Sequence, residues 1–387
     1  MKYKKKICFF STNRADFNYI YSIFNFFNEK NLFDNFFIFN QNNNNSNILK
    51  DKKIDKKKLI KYKFKFLGNT ESNIVDEISK FSKIVGKYLS NYKFDFIFII
   101  GDRYEAHLIA SIANVYNLPV VHIHGGEVTE GSYDDKFRHS ITKLSSIHFA
   151  ANKVYKRRIM QMGESKKHVF STGSPTIDFL KNIKFYDRKF LSKFFNINFS
   201  NHNILVCYNS ITNMSKKDSD FDNLLTALSE YKNRSNIYFS LANNDVNNLE
   251  INKSIKSFIK KNKSKKNMLF FKDIGSKLFL SLLKESDLII GNSSSAIIEA
   301  PYLGTASINI GERQKGRLMD NSVFNSDGSL ISIRKNLNKV LQLDNNKIKK
   351  ENYYGTGNSI KKMHKYMIKF SNTTHVHKKK FNDLKFK

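Results

Sequence analysis

Short apolar runs alternate with amphipathic stretches along most of the chain, and residues 95–139 show the pattern most clearly. The segment opens with an apolar run from Phe96 to Ile100 and turns at Gly101-Asp102-Arg103. A helical pattern follows, with Ala106, Ile109, Ala110 and Ala113 on one side. A second apolar run, Val120 to Ile123, ends in His124-Gly125-Gly126-Glu127. That order predicts strand, helix, parallel strand. Polar residues gather where the strands end, and in an open parallel sheet that is where ligands bind. Asp102, Arg103, Glu105, His124, Glu127, Asp134, Asp135, Arg138 and His139 all fall in this stretch.

The same patterning predicts a strand at 5–10, a helix at 15–28, a strand at 33–39 and a long amphipathic helix at 69–92. Ile74, Ile78, Phe81 and Val85 form one face of that helix. Residues 40–58, rich in Asn and Lys and without periodicity, are expected to be a mobile loop. After the central unit come helix 134–145, strand 147–150, helix 152–162, strand 168–171 and Gly173-Ser174-Pro175. A Phe/Lys-rich connector of weak order, 181–202, is the best domain boundary. A second alternation begins with strand 203–208 and helix 221–231. It continues through strand 236–241, helix 252–262, strand 267–272, helix 276–286, strand 287–291, helix 294–303 and strand 306–310. Helices are expected near 328–342 and at 357–370, with a frayed Lys/His-rich tail from Ser371. The fold class is therefore α/β: two Rossmann-like, doubly wound domains, 1–180 and 203–350, facing each other across a cleft.

The length, 387 residues, suits two domains of ordinary size. Lys and Arg number 66 against 34 Asp and Glu, a formal charge of +32, which taken alone suggests a polyanionic partner. The lysines are scattered, and the chain is also rich in Asn, Ile, Phe and Tyr. A merely basic surface, without nucleic acid, is the better reading. Cys8 and Cys207 both lie within apolar runs and read as buried strand residues in a reducing, cytoplasmic setting. The first apolar run, Ile7 to Phe10, is too short for a signal peptide, and no run approaches the ~18 residues of a membrane span.

Candidate chemistry lies at the strand ends. In Asp287-Leu-Ile-Ile-Gly291-Asn-Ser-Ser-Ser295, a strand runs into serines that begin the next helix. Ser293 and Ser294 can cap that helix, and its free N–H groups make a diphosphate site. Glu299, a turn further on, can accept ribose hydroxyls. Arg313 and Arg317, in a Gly-containing loop after the following strand, can neutralise phosphate or hold a uracil ring. In the first half, Arg138 follows Asp134 by four and Asp135 by three, so all three share a helical face beside Asp102. Gathered carboxylates suit proton removal from carbon. His122 and His124, two apart on a strand, share a face, and with Glu127 and His139 they offer zinc ligands. Core packing is the competing fate of His122, and no metal is assigned. Arg14, at the start of Arg14-Ala15-Asp16 after the first strand, can touch substrate.

With these residues assembled, the chain resembles the hydrolysing UDP-N-acetylglucosamine 2-epimerases, and most of all the bacterial branch serving sialic and legionaminic acid synthesis. The matching stretches are RAD (14–16), GNT (68–70), GDRYEA (101–106), HIHGGEVTEG (122–131) and DDKFRHSITKLSSIHF (134–149). TGSP (172–175), GNSSSAIIEAP (291–301) and INIGERQKGR (308–317) complete the set. The resemblance implies two Rossmann-like domains of the B-type glycosyltransferase kind closing over a UDP-sugar, with the helix at 357–370 crossing back to the first domain. It further implies a cytoplasmic homo-oligomer, dimer or tetramer, that uses no metal or nicotinamide cofactor. The implied reaction removes the carbon-2 proton as UDP departs, forms a 2-acetamidoglucal, and adds water to release N-acetylmannosamine. The same reaction on a UDP-2,4-diacetamido-2,4,6-trideoxyhexose is the alternative. Asp102, Asp134, Asp135 and Arg138 match the family's active-site positions, and His124 occupies a place held by Glu in many members, though His is familiar in this bacterial branch. Ser293, Ser294, Glu299 and Arg313 match its UDP-holding positions. Where relatives carry a catalytic His followed by Pro, this chain has Asn209-Ser210, and an amide cannot transfer a proton in this range. Tyr19 stands where some relatives have Lys, and the family's Asn-x-Asp is present as Asn243-Asn244-Asp245. A UDP-sugar binder with little turnover, a non-hydrolysing epimerase and a B-type glycosyltransferase are the competing readings.

Overall fold

The computed structural model describes residues 4–42, 54–66, 70–199, 202–210, 219–241, 248–262, 267–343, 351–373 and 376–383. Most of the stretch expected to be a mobile loop lies outside them, as do Gly68-Asn69 and Asn243-Asn244-Asp245. The first half runs β1 (Lys6–Phe10), α1 (Arg14–Lys30), β2 (Asp34–Asn40), β3 (Leu59–Tyr62), α2 (Glu71–Tyr92), β4 (Phe96–Ile100), α3 (Tyr104–Val115) and β5 (Val120–Ile123). It continues with α4 (Asp134–Leu144), β6 (Ile147–Ala150), α5 (Lys153–Gln161) and β7 (Val169–Ser171). Two helices, α6 (Pro175–Asn182) and α7 (Arg188–Phe195), lead to the second half. That half comprises β8 (His202–Cys207), α8 (Ser219–Ser229), β9 (Ser235–Ser240), α9 (Asn248–Lys261), β10 (Met268–Phe271), α10 (Ser276–Glu285) and β11 (Leu288–Gly291). It closes with α11 (Glu299–Leu303), β12 (Ala306–Ile310), β13 (Val323–Ser326), α12 (Leu330–Val340) and α13 (Ser359–Ile368).

The strands form two wholly parallel sheets, ordered β3-β2-β1-β4-β5-β6-β7 and β10-β9-β8-β11-β12-β13. Each winds outward in both directions from its first strand, as the α/β alternation predicts. The division at 1–180 and 203–350 is proposed on this partition of the strands. Both faces of each sheet are covered, so the strands are apolar throughout. In β1, Ile7 and Phe9 enter the core beneath α1, while Cys8 and Phe10 enter the core beneath α2 and α3. Phe9 packs edge-on against Phe24 and Phe27, with ring centroids 5.9 and 5.4 Å away. Both cysteines are free and buried.

Several expectations are corrected. The connector, entered from the end of α6, is not of weak order: it holds α7, whose first turn is capped by Asp187 accepting Phe190 N–H at 2.8 Å. The short strands β3 and β13 were not expected; each joins the sheet edge with a four-residue pattern too brief to carry a period. The helix expected at 294–303 is broken into a 3-10 turn at Ser294–Ala296 and the five-residue α11. Pro301 explains the break: inside a continuous helix it would lack an N–H and clash with the preceding turn, so α11 restarts with proline in its first turn. The tail is not frayed between 376 and 383. Val376 is buried, and Lys379 Nζ donates to the carbonyls of Lys143 and Ser145 at 2.7 and 2.9 Å. Apart from these corrections, α13 packs against α1 and α6. Asp178 on α6 accepts the first two N–H groups of α13, Ser359 at 2.9 Å and Ile360 at 3.2 Å.

Candidate active site

Winding in both directions opens a crevice at the carboxyl ends of β1 and β4 in one sheet, and of β8 and β11 in the other. Asp102 follows β4, Asn209 follows β8, and Asn292-Ser293 follow β11. At the second crevice the backbones nearly touch. Gly291 has φ +143°, and a Cβ there would sit 2.1 Å from the Cys207 carbonyl oxygen, so only glycine fits. Asn292 then ties the two strand ends together: its side chain accepts Asn209 N–H at 2.8 Å and donates to the Asn209 carbonyl at 2.7 Å. Its own carbonyl accepts Gln314 at 2.9 Å and Arg313 Nη1 at 3.2 Å. The Ser293 side chain accepts Ser295 N–H at 3.3 Å.

In the first half, Asp134 and Asp135 occupy the first turn of α4, where the helix dipole favours acids. One turn along, Arg138 is fully buried and organises the cluster. Its Nη1 donates to Asp135 Oδ1 at 2.7 Å and to the Glu127 carbonyl at 3.1 Å. Its Nη2 donates to Thr129 Oγ1 at 3.0 Å and to the Asp102 carboxylate. Burial would raise the Asp102 pKa, but the Arg138 and Arg317 guanidiniums outweigh it and hold the carboxyl below its usual range. Asp135 is likewise lowered to about 2: hydrogen bonds from His139 and the Thr129 N–H, with the Arg138 charge, overcome burial. Asp134 accepts the Ser132 hydroxyl at 2.9 Å.

His122 and His124 do not share a face. β5 ends at Ile123, and His124 has φ +68°, which breaks the strand's alternation. His122 is buried, faces Gly101 O at 2.8 Å and Thr142 Oγ1 at 3.3 Å, and is lowered to about 3 by burial. His124 instead lies with Nδ1 2.5 Å from Glu127 Oε1 and Nε2 2.9 Å from Ser174 Oγ. Gly126, at φ +79°, lets the loop fold back; a Cβ there would strike the Tyr155 carbonyl. Among the described residues, no group of three His, Cys, Asp or Glu side chains is gathered to hold a metal.

The two clusters meet. Arg317 Nη2 lies 3.0 Å from Glu127 Oε2, and Arg317 with His124 outweighs burial to hold the Glu127 carboxyl at about 2. Tyr19 Oη donates to Glu299 Oε1 at 2.9 Å. Glu299 is buried, which raises its pKa, and it feels the charges of both Arg317 and His124. Its Oε2 is buried without a hydrogen-bond partner. Arg14 pairs with Asp273 across the cleft at 2.9 Å, with its side chain about half exposed. The structure thus gathers Asp102 and Asp135 on Arg138, which also reaches the Glu127 carbonyl, and sets His124 and Arg317 on the Glu127 carboxylate. From the sequence Glu127 is a candidate zinc ligand, and Arg317 a candidate for phosphate neutralisation or for holding a uracil ring. Tyr19 and Ser174 were given no role; periodicity carries no signal for partners so distant in sequence.

The chain was compared with known proteins. The family model described as UDP-N-acetylglucosamine 2-epimerase matches residues 42–368. A Campylobacter jejuni protein named GDP/UDP-N,N'-diacetylbacillosamine 2-epimerase (hydrolyzing) is 40% identical over 234 residues, 60% of each chain. The match thus spans less than two thirds of that relative. The Escherichia coli polysialic acid biosynthesis protein P7 is 32% identical over 291 residues, 73% of each. The crystal structure of the Neisseria meningitidis UDP-GlcNAc 2-epimerase bound to UDP-GlcNAc superposes with a TM-score of 0.77 at 17% identity, over 94% of this chain and 100% of that one. Sequence and fold agree: the chain belongs to the UDP-N-acetylglucosamine 2-epimerase family.

Proposed function

We propose that this protein is a hydrolysing 2-epimerase of a UDP-linked N-acetylhexosamine, with UDP-GlcNAc as substrate and N-acetylmannosamine and UDP as products. A base takes the carbon-2 proton while the bond from carbon-1 to UDP breaks, leaving a 2-acetamidoglucal. Water then delivers hydroxyl to carbon-1 and a proton to the opposite face of carbon-2. The observation that supports this most is that Arg317, from the half that carries Glu299, lies 3.0 Å from Glu127 beside the acid cluster of the other half. A carboxylate awaiting a ribose hydroxyl and a set of proton carriers thus share one cleft. In this reading Asp102, His124, Asp134 and Asp135 manage the two protons and Arg138 orients the acids. Asn209, on the opposite wall, hydrogen-bonds the substrate where relatives place a histidine. Ser293, Ser294, Arg313, Glu299 and Arg14 hold UDP, whose departing charge the basic loop stabilises. A cytoplasmic homo-oligomer without metal or nicotinamide belongs to the same proposal, as does a place in sialic-acid-type sugar synthesis.

The name of the Campylobacter relative favours a second substrate, the UDP-linked diacetamido sugar. NMR of products formed from each nucleotide sugar in deuterated water tests both. Deuterium at carbon-2 and a free reducing sugar are expected from one of them. Release of neither UDP nor an epimerised sugar would overturn the reading, and UDP still attached to the epimerised product would replace it with a non-hydrolysing one.

A further inference from the structure

Arg317 is chemically overqualified for a phosphate-neutralising loop residue. Its side chain is 9% exposed and lies in an ion pair with a carboxylate that is 1% exposed, Glu127 of the other half. Two of its nitrogens, Nε and Nη1, are buried without a hydrogen-bond partner. The loop that carries it is docked on the first half at three points. Glu130 N–H donates to the Lys315 carbonyl at 3.1 Å, and a Cβ on Gly131 would lie 2.6 Å from Arg313 Cα. Leu318 N–H donates to the Tyr155 hydroxyl at 2.9 Å. Tyr354 grips the same residue from the other side, donating to the Leu318 carbonyl at 3.3 Å.

We propose that Arg317 is a positioning residue for the acid–base centre: docked across the cleft, it fixes the Glu127 carboxylate and, through it, the His124 imidazole. Each Glu127 oxygen has one close neighbour: an imidazole nitrogen at hydrogen-bond distance from Oε1, and a guanidinium in an ion pair without hydrogen-bond geometry at Oε2. Oε1 faces His124 Nδ1, and Oε2 faces Arg317. A carboxylate so divided holds one orientation, and the imidazole beyond it holds one tautomer and one ring plane. Because the guanidinium comes from the second half, the acid–base pair is completed only when the loop at 311–317 meets the loop at 126–131. Assembly of the centre is thereby linked to closure over the substrate. The open Nε and Nη1 donors are what a polar group entering the cluster would satisfy. The inference rests on the proposed epimerase reading for its kinetic arm and stands apart from it in its spectroscopic arm.

Arg317→Met keeps the stem and removes the charge; Arg317→Lys restores a charge without the fork. Methionine is expected to lower kcat by about 100-fold with KM changed less than about threefold, and lysine to recover part of the loss. UDP affinity by calorimetry should be retained. The acid limb of the kcat profile should move up in the methionine variant. Glu127 then keeps only His124, Arg138 and the neutral Tyr155 and Tyr354 around it, with Asp102 opposing. A packing role alone would not move that limb. Independently of turnover, the His124 ring signals, assigned with His124→Gln, should shift in Arg317→Met. Unchanged His124 signals would overturn the proposal even if the wild type proves inactive on every UDP-sugar. A loss of UDP affinity with kcat preserved would overturn it in favour of a ligand-binding role.

Discussion

Tyr19, on α1, donates its hydroxyl to Glu299 Oε1 at 2.9 Å, although the two residues are 280 positions apart. The bond ties the first helix of one half to the start of α11 in the other. It leaves the second carboxylate oxygen buried and open. Glu299 is thus held ready at the mouth of the proposed nucleotide site by a residue of the other half.

Removing that hydroxyl should disturb binding more than chemistry. In Tyr19→Phe a buried acceptor loses its partner, a penalty of about 1–2 kcal/mol. KM for the UDP-sugar is expected to rise by roughly tenfold with kcat nearly unchanged, measured by UDP release. A fall in kcat alone would place Tyr19 in the chemical step.

Arg138 binds the acid cluster together. Arg138→Met would leave Asp102 and Asp135 facing each other without their shared cation. The expected result is a loss of roughly 100-fold or more in kcat and about 3 kcal/mol of stability. Deuterium uptake at carbon-2 and thermal melting measure the two effects separately.

Asn209 stands where the sequence resemblance leads one to expect a catalytic histidine. Its backbone N–H and carbonyl are both paired with Asn292, so a side-chain exchange leaves the strand end pinned. Asn209→His introduces a group able to move a proton and is expected to raise turnover about tenfold. Equal turnover in variant and wild type would show that the His124–Glu127 pair carries the step without it.

Acid stability should depend on Glu164, which is buried against His148 at 3.2 Å, Lys143 at 2.8 Å and Lys379 at 2.7 Å. Burial would raise its pKa, but these partners, His148 first, bring it down to about 2. The folded value lies below the unfolded one of about 4.3, so the stabilisation is full above pH ~4.3 and is lost as pH falls through about 2. Glu164→Gln is expected to be less stable at pH 7 and to lose stability less steeply between pH 5 and 2, followed by circular dichroism. Lys379→Met should cost about 2 kcal/mol at neutral pH, because it also strips a donor from the Thr142, Lys143 and Ser145 carbonyls at the end of α4.

What the amino-acid sequence determined by itself was local. Apolar runs bounded by turns, with helical periods between them, specify parallel strands and crossovers. That is enough for the α/β class, for nearly every strand, and for the polar strand ends where the site lies. Asp102, Asp135 and Arg138 were legible as a cluster because they fall within one strand–helix–strand–helix segment. Pro301 was visible, yet the helical period around it was read through; the missing N–H and the clash with the preceding turn outweigh that period. The tertiary structure decided what periodicity cannot encode. A single positive φ at His124 turned it away from His122 and onto Glu127. Packing of the two halves carried Arg317 to Glu127 and Tyr19 to Glu299, and laid Lys379 across the end of α4. Such pairs depend on where whole sheets and loops come to rest, and a buried charge finds its partner only once that packing brings the two together.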